Sequence, residues 1–301
     1  YDLEVKDGDL LAATHGRSFW VLDDLTPLRE LGEGALDGPV HLLKPRNATR
    51  LLPQSGFRGP ASPGKHYMSD LLGVPATSRN KKSPSGEWDR VWIDAGTNPP
   101  DGAVVFYHLA EAPDDEVTLT ILDSKDRVVR QFSSKDADGP ALTADAGFNR
   151  LLWDMRYAPP PALEGDASAG SPAGPASMGP LAAPGVYSVR LTARGDSYKQ
   201  AVELLKDPRS GATQADLDEQ LDLELRIRDA YKEAQDHVER LRSLRRQVEE
   251  WERRADGHPE HERVSELAAA LAEKMSAIEN VIVPLKPTEG GPPRGIPIGV
   301  H

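Results

Sequence analysis

Apolar and polar residues alternate with a period of two over the first 22 residues, a pattern that predicts three short strands in a tight meander. Tyr1, Leu3 and Val5 mark the first strand, and Lys6-Asp7-Gly8-Asp9 turns it, with Gly8 suited to positive φ. Residues 10–14 form the second strand, His15-Gly16-Arg17 the next turn, and residues 18–22, with Phe19 and Trp20, the third. Three short strands cannot bury two faces alone, so this sheet is expected to pack on further sheet. From residue 25 to 97 the period is lost. Thr26-Pro27 and the glycines at 32, 34 and 38 suggest a connector, 40–43 reads as a strand, and 52–98 as an irregular excursion.

Alternation returns after Asn98-Pro-Pro-Asp-Gly102. Candidate strands are 103–109, 117–122, 128–132, 149–155, 186–193 and 198–205, each bounded by turn residues, as in a β-sandwich over residues 98–209. Residues 158–183 interrupt it. Of these 26 residues, 21 are Ala, Pro, Gly or Ser, too few apolar groups to offset chain entropy, so a disordered insertion is expected.

Beyond Asp207-Pro208-Arg209 the period changes to that of helices. Thr213, with Asp216 three residues on, predicts an N-cap. Ile227, Tyr231, Ala234, Val238, Leu241, Leu244, Val248 and Trp251 form one stripe, Gly257-His258-Pro259 a break, and Val264, Leu267, Leu271, Met275, Ile278 and Ile282 a second stripe. A short connection and matching stripes predict an antiparallel two-helix coiled coil over 213–283, with a Pro/Gly tail at 284–301. The expected fold class is therefore multi-domain, mainly β with a helical hairpin.

Composition narrows the partners. Asp and Glu total 48 against 36 Lys and Arg, a net charge of −12, whereas a nucleic-acid partner would call for a basic stripe. No apolar run has the length of a membrane span. The chain has no cysteine, which excludes disulfides, thiolate metal sites and cysteine nucleophiles. No signal peptide is present; the chain begins at Tyr1 inside a strand, so an export signal is expected upstream.

Three segments resemble a family of large bacterial proteins with sortilin-like, BNR-repeat β-propellers, often labelled glycosyl hydrolases. Asp9-Leu-Leu-Ala-Ala-Thr-His-Gly-Arg-Ser-Phe-Trp-Val-Leu-Asp-Asp24 looks like closing propeller strands. Asn98 to Ala103 with Gly147-Phe-Asn-Arg-Leu-Leu-Trp-Asp-Met-Arg-Tyr157 looks like the sandwich that follows. Ala183-Pro-Gly-Val-Tyr187 and Asp207-Pro-Arg209 look like its last hairpin and exit. The resemblance implies that residues 1–24 are the last strands of a propeller, that the sandwich is immunoglobulin-like, that the protein is extracytoplasmic, and that upstream blades of the same protein are the partner. The repeat box of such propellers, Ser-x-Asp-x-Gly-x-Thr-Trp, is absent; Ser134-Lys-Asp-Ala-Asp-Gly139 has an extra residue and lacks Thr-Trp.

Candidate chemistry is sparse. His15 and Arg17 on a blade turn suit a carbohydrate or peptide ligand, although hydrogen bonding to neighbouring blades is the stronger reading. Asp23 and Asp24 form a tempting carboxylate pair, but glycoside hydrolysis needs two acids facing across a bond, and adjacent strand residues point to opposite faces. Trp153 to Tyr157 would suit sugar stacking, yet alternation places Trp153 and Met155 together in the core. His258, His261 and Glu262 lack helical zinc spacing. No complete active site, cofactor or metal site is expected. The function expected is a non-catalytic C-terminal module that braces a propeller; the alternative is an accessory part of a glycoside hydrolase whose catalytic residues lie upstream.

Overall fold

The computed structural model describes residues 2–16, 18–31, 38–51, 64–69, 75–82, 88–93, 99–136, 142–160 and 179–282. The chain divides into two compact units: residues 1–157 with 181–217, and residues 158–180 with 218–301. The described residues mix β sheets with three helices, and none of these helices is long and apolar enough to cross a membrane.

In the first unit, β1 (Asp2–Lys6), β2 (Asp9–Ala13) and β3 (Phe19–Leu22) make the expected antiparallel meander. Positive φ at Asp7 (53°) and Gly8 (89°) gives the two-residue turn that matches strand twist. After β3 comes a helix, α1 (Thr26–Leu31), where a connector is predicted.

Among the described residues of 25–97 the strand expected at 40–43 is present, and four further strands stand where the sequence suggests an irregular connector. β4 (Val40–Leu42) and β5 (Ala48–Arg50) each join a sheet of the β-rich unit, and β6 (Lys65–Ser69), β7 (Pro75–Lys82) and β8 (Trp88–Trp92) form an antiparallel three-stranded sheet. The physical reason is visible in β7. Burial alternates there, but the buried residues are Ser78 and Asn80, so the period is carried by polar side chains and leaves no hydropathy signal.

The remaining strands are β9 (Ala103–Leu109), β10 (Thr118–Leu122), β11 (Val128–Ser133), β12 (Gly147–Trp153), β13 (Gly185–Ala193) and β14 (Asp196–Lys206). They form a three-stranded sheet, β12-β9-β4, and a five-stranded sheet, β11-β10-β13-β14-β5. The second is mixed, because β5 runs parallel to β14, pairing Ala48 with Leu204. Alternation does what it predicts: Ala103, Val105, Tyr107 and Leu109 on β9, and Tyr187, Val189, Leu191 and Ala193 on β13, are all buried. The two sheets meet where the Trp153 and Tyr187 rings lie edge to face, 5.3 Å apart. Arg130 of β11 reaches Asp154, just after β12, at 2.8 Å.

Most of the insertion expected at 158–183 (161–178) lies outside the described residues, as does the tail at 284–301. Its far end is packed. Arg156 and Leu181 form a β-bridge, the Ala182 N–H donates to the Met155 carbonyl at 2.7 Å, and Ala182 and Ala183 are buried.

The second unit holds most of α2 (Gln214–Arg254) and all of α3 (His261–Ile282). The start of α2 is capped as Thr213 and Asp216 predict. The Thr213 hydroxyl oxygen accepts the Asp216 N–H at 3.2 Å, while the Asp216 carboxylate accepts the Thr213 N–H at 2.8 Å. That N–H, helped by the Thr213 hydroxyl, holds the Asp216 carboxyl below the usual range. Gly257, at φ 78°, turns the chain between the helices.

The two helices run antiparallel, but their seam is more polar than the stripes suggest. Arg242 Nε and Arg245 Nη2 both donate to Glu279, at 2.8 and 2.9 Å, and Ser265 Oγ donates to Glu252 at 2.5 Å. Val238, Ala268 and Met275 are buried, while Leu244, Trp251, Leu267, Leu271 and Ile278, which the stripe pattern assigns to the seam, are exposed. Arginine 242 first, then Arg245, lowers the Glu279 carboxyl below its usual range. A lowered folded pKa means stability that is complete above the unfolded carboxylate's pKa, about 4.3, and lost as pH falls through the folded value. Helix melting from pH 7 to about pH 3 should therefore lose about 1–2 kcal/mol more in the parent than in Glu279→Gln. Parallel pH profiles for the two proteins would remove the bridge from the seam's energetics.

Candidate functional site

Of the four residues singled out by sequence, the three that are described are not gathered into one site. In the β2–β3 pairing Ala13 faces Phe19 at one end and Leu10 faces Leu22 at the other. His15 lies in the turn beyond the first pair, Asp23 and Asp24 beyond the second. Three residues of strand, about 10 Å, separate the two ends. Arg17 lies outside the described residues.

The His15 turn is built by local chemistry. Gly16 has φ 76° and Ser18 φ 66°, and Thr14 closes the loop by donating both its N–H (3.3 Å) and its hydroxyl (2.9 Å) to the Ser18 carbonyl. His15 is exposed on this turn.

At the other end the structure assigns Asp24 to a turn. It holds φ 59°, its carboxylate accepts the Thr26 N–H at 3.0 Å at the start of α1, and its own N–H donates to Asp9 at 2.8 Å. Asp23 is exposed. Asp9 is the hub of this end. Arg46, in the β4–β5 connection, donates to Asp9 Oδ1 at 2.5 Å and to the Asp7 carbonyl at 2.7 Å. The Asp24 N–H, then Arg46, holds the Asp9 carboxyl below the usual range. An acid so stabilised as an anion is a poor proton donor near neutrality.

Glu30 of α1 anchors the same corner. Its carboxylate lies 3.3 Å from His41 Nε2 and accepts the Lys44 N–H at 2.9 Å. His41 is the register partner of His108 on β9, whose ring lies 5.2 Å from that of Phe148. Asp9, Glu30, His41 and Arg46 were therefore missed by sequence reasoning. Asp9 and Arg46 are 37 residues apart in unrelated local patterns, so only the folded chain brings them together.

The remaining candidates have structural duties. Trp153 and Met155 are buried, the Trp153 indole N–H donates to the Arg156 carbonyl at 2.9 Å, and Asp154 pairs with Arg130. His258 Nδ1 accepts the Glu260 N–H at 3.2 Å in the interhelical turn. Among the described residues no three His, Asp or Glu side chains are grouped to hold a metal ion. The arrangement around Asp9 can lock a sheet corner, and it presents no acid and base across an open space. No protein-family model matches the chain. Comparison with curated proteins likewise gives no significant match.

Proposed function

We propose that this chain is a non-catalytic module of a longer, extracytoplasmic β-propeller protein of the sortilin-like, BNR-repeat kind. In this reading β1–β3 close the last blade, the two sheets around Trp153 form an immunoglobulin-like sandwich, and α2 and α3 form a short coiled coil. The observation that carries it is the surface of β1–β3. Leu3, Val5, Phe19, Val21 and Leu22 are all exposed, with Phe19 at 83%, and they fall on both faces of the meander. A three-stranded sheet that leaves apolar residues on both faces in water has the character of a piece of larger sheet structure. Neighbouring blades supply that cover.

Two details favour the sandwich reading. Trp153 packs on Tyr187, and the Tyr187 hydroxyl donates to the Ala183 carbonyl, four residues upstream, at 2.8 Å. A buried tryptophan between sheets and a tyrosine bonded back to upstream backbone are both features of immunoglobulin-like domains. The Asp9–Arg46 and Glu30–His41 pairs then act as the joint that ties the blade edge to β4.

The reading frame upstream of Tyr1 tests this directly. It should encode consecutive four-stranded repeats with Ser-x-Asp-x-Gly-x-Thr-Trp boxes, and a frame without blade repeats would overturn the proposal. The purified chain should also give no turnover on a panel of chromogenic glycosides. Turnover that vanishes in Asp23→Asn or Asp24→Asn would place a working site on this edge and end the non-catalytic reading.

A further inference from the structure

We infer that the helical unit pairs face to face with the same unit of a second copy of this chain, as a four-helix bundle. This pairing involves only α2 and α3 and is independent of the propeller reading. Arg242, Arg245 and Glu252 on α2, with Ser265, Ser276 and Glu279 on α3, mark the sides on which the two helices meet. At about 100° per residue, Leu244 and Trp251 lie roughly 120° around α2 from that side, and Leu267, Leu271 and Ile278 roughly 100° around α3. Because the helices are antiparallel, these two rotations carry all five side chains to the same face of the pair. All five are exposed. The opposite face carries Glu239, Arg246 and Glu250 from α2 and Glu262, Glu266 and Glu273 from α3. The unit is thus a two-helix layer, apolar on one side and charged on the other.

Three properties select a second copy as the cover. The first is spacing. Leu244 and Trp251 are seven residues apart, and Val264, Leu271 and Ile278 recur at seven, the repeat that keeps a stripe aligned against other helices. The second is size. At the observed exposures these side chains, with Ile282, leave on the order of 500 Å² of apolar surface in water. A stable interface buries about 800 Å² per partner, about 65% of it apolar in homodimers, so the patch matches the apolar core of one half. The third is charge. Between 241 and 255 on α2 and between 264 and 282 on α3, the centre of the face carries no charged residue; Arg254, whose guanidinium lies 5.4 Å over the Trp251 ring, and Arg240, Arg263 and Lys274 lie at its rim. A two-fold interface sets a patch against itself, and a face whose centre carries no charge meets its copy there without opposing like charges.

Sedimentation of the whole chain at about 100 µM, well above the micromolar limit for interfaces of this area, should give twice the 32.7 kDa chain mass. The double variant Leu271→Asp, Ile278→Asp should sediment as a monomer with its helical circular dichroism unchanged. Because the chain has no cysteine, Leu271→Cys gives a clean second readout: a bis-maleimide should join two copies through it, and should not through Glu273→Cys on the charged face. A monomeric parent would overturn the inference. So would a dimer that survives the double variant and dissolves in Phe19→Ser, Val21→Ser, or equal crosslinking through both introduced cysteines.

Discussion

Gly102→Ala is expected to destabilise the β-rich unit by about 3 kcal/mol or more, a large share of the 5–15 kcal/mol that holds a domain together. A Cβ at this position would stand 2.3 Å from the Trp153 carbonyl oxygen and 2.9 Å from Leu152 Cδ1. The first of these is backbone and cannot rotate away. Nor can β12 withdraw: Trp153 is the register partner of Ala103, is fully buried, packs edge to face on Tyr187 and donates its indole N–H to the Arg156 carbonyl. Overpacking alone costs about 1–3 kcal/mol in a core that can adjust, and a backbone clash beside a fixed tryptophan adds to that. At about 2–4 °C per kcal/mol for a unit of this size, the melting midpoint should fall by roughly 10 °C. Gly195→Ala is the control. Gly195 turns β13 into β14 with φ 85° and open space around it, so alanine there meets only the left-handed backbone penalty of about 1–2 kcal/mol. If Gly102→Ala melts no lower than Gly195→Ala, the close approach at Trp153 does not constrain this fold.

The contrast between these two glycines shows what was legible in the sequence. The turn at Gly195, between the strands expected at 186–193 and 198–205, is a local matter and could be read from residue types alone, as could the alternation on β9 and β13 and the Thr213–Asp216 cap. Gly102 also reads as a turn residue, but its real constraint comes from Trp153, 51 positions away, and pairing over that distance leaves no local trace. The same holds for β5, which joins β14 in parallel across some 150 residues, and for the polar alternation of Ser78 and Asn80 in β7. For the candidate residues, the turn positions of His15 and Asp24 were legible, and what the sequence did not show is where those turns lie in the folded sheet. His15 and Asp24 lie in successive turns of one meander, and antiparallel pairing sends successive turns to opposite ends of the sheet. The corner that does assemble, Asp9 with Arg46 and Glu30 with His41, combines an ordinary turn acid with side chains from a stretch that shows no period.

Helix periodicity misled in a narrower way, and Val238→Asp tests the correction. A stripe wide enough to cover two neighbouring surfaces does not say which of them faces the partner helix. The stripe on α2 runs through Val238, Leu241, Leu244 and Trp251, and the Arg242, Arg245 and Glu252 contacts show that the seam lies along its Val238 edge. Val238 is fully buried on that side, whereas Leu244 is 43% exposed. An aspartate at 238 would put an unpaired carboxylate where water is excluded, at a cost of about 3–5 kcal/mol. The seam has little reserve to absorb it, since much of it is ion pairs and small residues. Val238→Asp should therefore lose much of the 222 nm helical signal and melt well below the parent, while Leu244→Asp, which places its charge in water, should keep the helices and lose only the pairing of copies. If Val238→Asp retains the parent's helical signal and midpoint, the helices do not meet on the Val238 side, and the face assigned here to a second copy would have to be their seam.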